Sequence, residues 1–199
     1  MTSGNRTDRP SSARIEPVVE PDAELQEILA GALTHDGTPL NIFGVLGRHP
    51  KLLKRFNLLG GFLLNKGLLP AREREIVILR IGWNARARYE FGQHTLIGRR
   101  SGLTDDEIVA LTRAADDHDW SDDDRALLAL ADELADDDCV SDATWARLAE
   151  RWDDAELVEL LVLAGFYRMV SGFLNSAGVQ LDNGVPGFPA PTRPEPTSG

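Results

Sequence analysis

Residues 69–83 read LPAREREIVILRIGW, and this stretch decides the fold class of the chain. Pro70 suits the first turn of a helix, and Glu73 and Glu75 complement the positive end of the helix dipole. An apolar run follows these residues, so the pattern predicts a helix over residues 71–84. Little polar face remains on this helix, and we therefore expect it to be buried.

Helical periodicity continues on both sides of this stretch, and no convincing alternating strand pattern appears. Residues 34–39 form a turn cluster, and Thr104 with Glu107 forms a capping box for another helix. The other predicted helices cover about residues 22–33, 41–46, 50–64, 89–100, 127–134, 143–152 and 155–177. The sequence therefore predicts an all-α fold.

Both ends of the sequence are typical of tails. Residues 1–14 are polar and basic, and residues 184–199 carry too many prolines for regular structure. We predict disordered tails at both ends and one all-α domain over residues 15–183. Several predicted helices are apolar around most of their circumference, so we also expect buried contacts between subunits.

The composition excludes several classes of protein. The chain has 199 residues, 42% of them apolar, and a formal net charge of −11, which argues against a nucleic-acid partner. The apolar stretches are too short for a membrane span, and the N-terminus lacks the apolar region of a secretory signal. We therefore expect a soluble cytoplasmic protein without a membrane partner. Its single cysteine, Cys139, cannot form an intrachain disulfide.

The polar residues that could carry chemistry lie near one predicted helix. Glu90 and His94 are four residues apart, as are Tyr89 and Gln93, so each pair shares a helix face. With Glu75, these groups can donate and accept protons near neutral pH. An exposed Glu–His pair without function has the same spacing. One histidine and two glutamates do not form a typical zinc motif, so we predict no metal site.

Three parts of the sequence are similar to one family. They are the block from Glu75 to His94, the stretch Ser-Gly-Leu-Thr-Asp-Asp-Glu-Ile at residues 101–108, and the stretch Gly-Phe-Tyr-Arg-Met-Val at residues 165–170. Over roughly residues 40–182 the chain resembles the carboxymuconolactone decarboxylase / alkylhydroperoxidase-D family. The resemblance implies an alkylhydroperoxidase-D-like helical bundle that forms trimers or hexamers. Peroxidase members carry a glutamate, a Cys-x-x-Cys pair and a histidine here. The glutamate and histidine fall on Glu75 and His94, and the cysteine positions fall on Ala87 and Glu90.

Without the two thiols, reduction of peroxide through this motif is not expected. The resemblance then points to the cysteine-free, decarboxylase-like branch, a lyase acting on a carboxylated lactone or related oxo-acid without metal or organic cofactor. Glu75, Tyr89, Glu90 and His94 are the expected catalytic residues, and Trp83, Gln93 and Tyr167 are expected to bind the small-molecule substrate. The alternatives are isomerisation or lactone hydrolysis in the same pocket, a non-catalytic oligomeric binding protein of this fold, and an alkylhydroperoxidase-type peroxidase.

Overall fold

The computed structural model describes residues 8–35 and 37–190, and within them nearly all regular structure is helical. The all-α prediction is confirmed. The α-helices in the described residues are α1 Ala23–Leu29, α2 Asn41–Leu46, α3 Pro50–Asn65, α4 Ala71–Asn84, α5 Arg88–Arg100, α6 Asp105–Ala110, α7 Asp122–Asp137, α8 Asp142–Ala149 and α9 Asp154–Ala177. A short 3₁₀ turn, Ala115–Asp117, lies between α6 and α7.

The first predicted helix and the turn after it differ from the prediction. Helix α1 ends at Leu29 instead of continuing to residue 33, because Gly31 is a poor helix former. The turn cluster then folds into a two-stranded hairpin, β1 Thr34–His35 and β2 Thr38–Pro39, which the sequence pattern did not predict. Gly37 adopts a φ of 78°, a conformation that the tight hairpin turn requires and glycine tolerates.

Helix α4 is the centre of the fold and packs against α5, α7 and α9. The side chains of residues 76–79 are all fully buried, so one chain covers this apolar helix on every side. The burial of α4 therefore requires no second subunit, and the expected contacts between subunits stay a prediction. Helix α9 is different, since Val158, Val162 and Met169 remain exposed on it.

Two helices begin with a capping box, in which two residues exchange hydrogen bonds between side chain and backbone. Thr104 and Glu107 form the predicted capping box at α6, and Asp153 and Glu156 form another at α9. In the described residues, α9 is also the one helix long and apolar enough, by length and composition alone, to cross a membrane. Of its most apolar window, 56% is buried inside the protein, as expected for a core helix.

The described parts of both predicted tails contact the helices. The Arg14 backbone N–H donates to the Ala177 carbonyl at 2.9 Å. Near the other end, the Phe188 ring packs edge-on against Trp83 and Phe91, each at a centroid distance of 5.2 Å. The domain boundaries at residues 14/15 and 183/184 stay predictions. Residues 1–7 and 191–199 of the predicted tails lie outside the described residues.

Candidate active site

Close packing of α4 on α5 brings the candidate site together. A methyl group on Gly82 would meet the Phe91 backbone nitrogen at 3.4 Å, and one on Gly98 would meet the Leu79 side chain at 3.3 Å. Hydrogen atoms at these two positions therefore let the helices approach at both ends of their contact. Glu75 of α4 then lies directly beside His94 of α5.

His94 is held between two carboxylates. Its Nδ1 lies 2.6 Å from Glu75 Oε2 in a buried hydrogen bond, and its Nε2 lies 3.2 Å from Glu90 Oε1. The Arg74 Nε donates to the other Glu75 oxygen at 3.1 Å. With His94 protonated, these residues form a buried cluster of two cations and two anions, which makes their burial possible.

The cluster stabilises the charged form of His94. Burial by itself would lower the pKa of His94, but the charges of Glu75 and Glu90 and the hydrogen bonds to them outweigh burial. Together they raise the pKa to about 10 from an ordinary value of 6.5. At neutral pH the ring is therefore an imidazolium, with a proton on both nitrogens.

A cavity of about 150 Å³ lies on the Glu90 side of this cluster, between α2, α3, α5 and α9. Its apolar wall includes Ile42, Phe43, Phe56, Leu64, Ile97, Phe166 and Val170. Its polar lining includes Asn57, Tyr89, Glu90, Gln93, His94 and Tyr167. Glu75 is not among the lining residues and contacts His94 from behind. The site thus has a carboxylate and an imidazolium facing a mostly apolar space.

Tyr167 of α9 contributes a neutral phenol to the cavity. Its ring packs edge-on against His94 with the centroids 4.9 Å apart. Burial first, and then the negative charges of Glu90 and Glu75, raise the pKa of Tyr167 well above its ordinary value. No hydrogen bond joins its hydroxyl to another residue in the described part of the chain. The hydroxyl can therefore donate to a ligand.

Asp182 occupies a role that the sequence did not indicate. Its Oδ2 accepts hydrogen bonds from the Tyr89 hydroxyl and the Gln93 amide, both at 2.6 Å, and its Oδ1 accepts one from the Asn41 backbone N–H at 2.9 Å. The Tyr89 hydroxyl also accepts from the Ile42 backbone N–H at 3.3 Å. Tyr89 and Gln93 line the cavity, but the Tyr89 proton is committed to Asp182. Asp182 belongs to no motif and lies 93 residues from Tyr89 and 89 residues from Gln93 in the sequence.

Trp83 lies outside the cavity. Its ring packs against Phe91 and Phe188 and lines a separate surface groove with Arg80 and Asp132. The structure does not bring Trp83 together with the other predicted site residues, and its role in substrate binding stays a prediction. The other six predicted residues lie together, five of them on the cavity wall and Glu75 behind His94.

The two positions at which peroxidase members carry cysteines bear no thiol. Ala87 is fully buried just before α5, and Glu90 contacts His94. Cys139 is exposed beyond the end of α7 and does not line the cavity. Within residues 8–35 and 37–190, no cluster of three or more His, Cys, Asp or Glu side chains could hold a metal ion.

Comparisons with known proteins agree with this architecture. Residues 50–133 match the Carboxymuconolactone decarboxylase family. No curated protein matches the chain. A peroxidase-related protein from Silicibacter sp. TM1040 superposes with a TM-score of 0.76 at 14% identity, over 89% of this chain and 95% of that one.

Two further solved structures share the fold. The alkylhydroperoxidase AhpD core of a peroxidase-related protein from Ralstonia eutropha JMP134 gives a TM-score of 0.75 at 19% identity, covering 88% of this chain and 95% of that one. The debrominase Bmp8 gives 0.72 at 15% identity, covering 85% and 92%. At these identities the likeness concerns the fold. The chain therefore has the all-α AhpD-like fold, and over residues 50–133 its sequence is similar to the carboxymuconolactone decarboxylase family.

Proposed function

We propose that the protein is a small-molecule enzyme that performs acid–base chemistry on a carboxylated lactone or a related small oxo-acid. The observation that supports this proposal is the Glu75–His94–Glu90 contact at the wall of the cavity. A buried imidazolium between two carboxylates holds a proton next to a cavity that can bind a ligand. The chemistry uses no thiol, because the cavity lining contains none.

Glu90 and His94 supply the proton. Glu75 accepts the hydrogen bond from Nδ1 and so orients the ring, while Nε2 shares its proton with Glu90. Glu90 lines the cavity, so a proton transferred to it from Nε2 reaches a bound substrate. Solvent then restores the proton on His94 after turnover.

Tyr167 stabilises the negative charge that forms during reaction. In decarboxylation the carbon–carbon bond to the carboxylate breaks, carbon dioxide leaves, and the electron pair moves onto the neighbouring carbonyl oxygen. The neutral Tyr167 hydroxyl can donate a hydrogen bond to this oxyanion. The enolate carbon then takes the proton held by Glu90 and His94, which completes the reaction.

The apolar wall favours loss of the carboxylate. Phe43, Phe56 and Phe166 replace water around a bound substrate. A carboxylate loses solvation in such a place, and its conversion to neutral carbon dioxide removes that cost. The same apolar wall would slow any reaction that creates a second charged group far from His94.

The test is carbon dioxide release from a panel of carboxylated lactones and cyclic oxo-acids, measured without a thiol reductant. We expect turnover by the wild-type protein and its loss in His94→Gln, with the helical circular-dichroism signal retained in that variant. Cys139→Ser is the matched control and should keep full activity. Unchanged turnover in His94→Gln, or strong peroxide reduction coupled to a dithiol, would contradict the proposal.

A non-catalytic binding protein is the second candidate, because the same cavity could hold a ligand without changing it. The debrominase Bmp8 has also been solved, as a variant, in complex with 2,3,4-tribromopyrrole, so a protein of this fold takes up a small ring compound. Binding of panel compounds with no turnover, and no effect of His94→Gln on their chemical fate, would favour this candidate.

We also propose that the protein is a cytoplasmic homo-oligomer, a trimer or hexamer, without nucleic-acid or membrane partners. The exposed apolar side chains of α3 and α9, including Phe62 and Val158, support subunit contacts. The net charge of −11 supports the absence of nucleic acid.

A further inference from the structure

We infer that the substrate is a single-ring compound with no more than one carboxylate, and that Gly61 sets the size limit. This inference rests on the proposed function, since it names the substrate class of the same cavity. It depends on the volume of the cavity, on the charges along its wall, and on the place of Gly61 in α3.

The volume of the cavity fits one ring. It measures about 150 Å³, and an apolar cavity of about 150 Å³ in another protein holds one benzene molecule. A single ring with one small substituent therefore fills the space. Two fused rings would require the aromatic wall formed by Phe43, Phe56 and Phe166 to move.

The charges of the wall limit the substrate to one carboxylate. Among the described lining residues, His94 is the only one with a cationic side chain, and none is lysine or arginine. Glu75 and Glu90 already face that cation. A first carboxylate on the substrate would be stabilised by the positive charge of the His94 imidazolium. A second would be desolvated beside Glu90 without a partner, which is strongly unfavourable.

Gly61 lies in the part of the cavity wall that α3 forms, and it has no side chain to fill the space there. Asn57, Gly61 and Leu64 are spaced i, i+4 and i+7, share one face of α3, and all line the cavity. A methyl group on Gly61 would meet no atom within 4 Å, whereas one on the neighbouring Gly60 would meet the Phe166 ring at 3.3 Å. A side chain at position 61 would therefore extend into open space at the cavity wall, where we infer that it competes with the ligand, without disturbing the packing of α3 on α9.

Three probes separate ring number from charge: benzoate, phthalate and naphthoate. Phthalate adds a second carboxylate to benzoate, and naphthoate adds a second ring. We expect calorimetric titration of the full chain to show benzoate binding, with phthalate and naphthoate each weaker by about tenfold or more. Equal binding of either larger probe, or no binding of any probe, overturns the inference.

Gly61→Val tests the position of the size limit, with Gly172→Val as its matched control. Both glycines lie within helices and have no atom within 4 Å of an added methyl group, but Gly172 is exposed on α9 and does not line the cavity. Both variants replace a helical glycine with valine, so the change in helix propensity is the same in both. A difference in benzoate binding between them therefore reports the effect of a side chain in the cavity. We expect benzoate binding to weaken by about tenfold in Gly61→Val and to stay unchanged in Gly172→Val.

Gly61→Ala covers the case in which Gly61→Val fails to fold, and it should weaken benzoate binding by a smaller factor. Equal binding by the Gly61 variants and the Gly172 control overturns the inference. That result would leave the proposed chemistry intact, because turnover and the effect of His94→Gln test it separately. If His94→Gln keeps full turnover while the probe series behaves as expected, the proposed chemistry fails and the size and charge limits stand.

Discussion

Replacing Glu75 with glutamine removes the carboxylate that holds His94 in its charged form while it keeps the shape of the side chain. Glu75 is fully buried and its oxygens accept from Arg74 and His94. In Glu75→Gln, both cations remain buried and lose their common anion. We therefore expect a lower pKa of His94 and a lower free energy of unfolding.

The magnitude follows from the ionic state of His94. A rise in its pKa from 6.5 to about 10 corresponds to a free energy on the order of 5 kcal/mol. Glu90 would still contact the ring in the variant, so only part of this free energy is lost. Removing one partner of a buried ion pair costs about 3–5 kcal/mol in other proteins. We expect a loss of about 3 kcal/mol near pH 6.

The pH dependence has a definite sign. Because folding raises the pKa of His94, its contribution to stability is complete below pH 6.5, declines as the pH rises, and is lost above about pH 10. The difference in unfolding free energy between wild type and Glu75→Gln should therefore be larger at pH 6 than at pH 10. Urea unfolding at both pH values measures it, and groups that titrate alike in both proteins cancel.

The His94 ring can also be titrated directly by NMR, with His94→Gln used to assign its signal. Glu27→Gln, which changes an exposed carboxylate on α1, is the control and should leave the titration of His94 unchanged. A His94 pKa near 6.5 in the wild-type protein would refute the reasoning. So would an unfolding free-energy difference that is the same at pH 6 and pH 10.

Three further predictions concern the walls of the cavity and the surface. Asp182→Asn weakens the acceptor for Tyr89 and Gln93, so thermal unfolding should show a loss of about 1–3 kcal/mol. Gly92→Ala would bring a methyl group into a steric clash with the Pro186 carbonyl oxygen. Urea unfolding should show a loss of about 1–3 kcal/mol, and a smaller change would contradict the close approach. Val158→Lys places a charge on the exposed face of α9, and light scattering should show smaller assemblies than the wild type; equal masses would argue against an interface there.

The helices of this fold could be predicted because their signals are local. The apolar run after Glu75 and the capping box at Thr104 each specify a helix within a few residues. The four-residue spacing of Glu90 and His94 likewise predicted that they would share a face, and their side chains lie 3.2 Å apart.

Other features depend on contacts between distant residues and left no local signal. Asp182 reaches Tyr89 and Gln93 only after α9 has turned back over α5, so no spacing in the sequence could show this contact. Trp83 lies inside the block from Glu75 to His94 in sequence, but the rings of Phe91 and Phe188 hold it on another surface. The sequence pattern likewise indicated only that α4 is apolar around its circumference. It could not show that three helices of the same chain bury α4.

The hydrogen bonds of Asp182 have a consequence for the synthesis of the protein on the ribosome. Helices α1 to α9 are all made before residue 182 leaves the exit tunnel, but Tyr89, Gln93 and the start of α2 lack their shared acceptor until then. The helices can therefore pack before Asp182 joins them, and its hydrogen bonds to the cavity wall form in a later step. A chain that stopped at Ala177 would contain every helix of the described residues, while Tyr89 and Gln93 would lack their acceptor in the cavity wall.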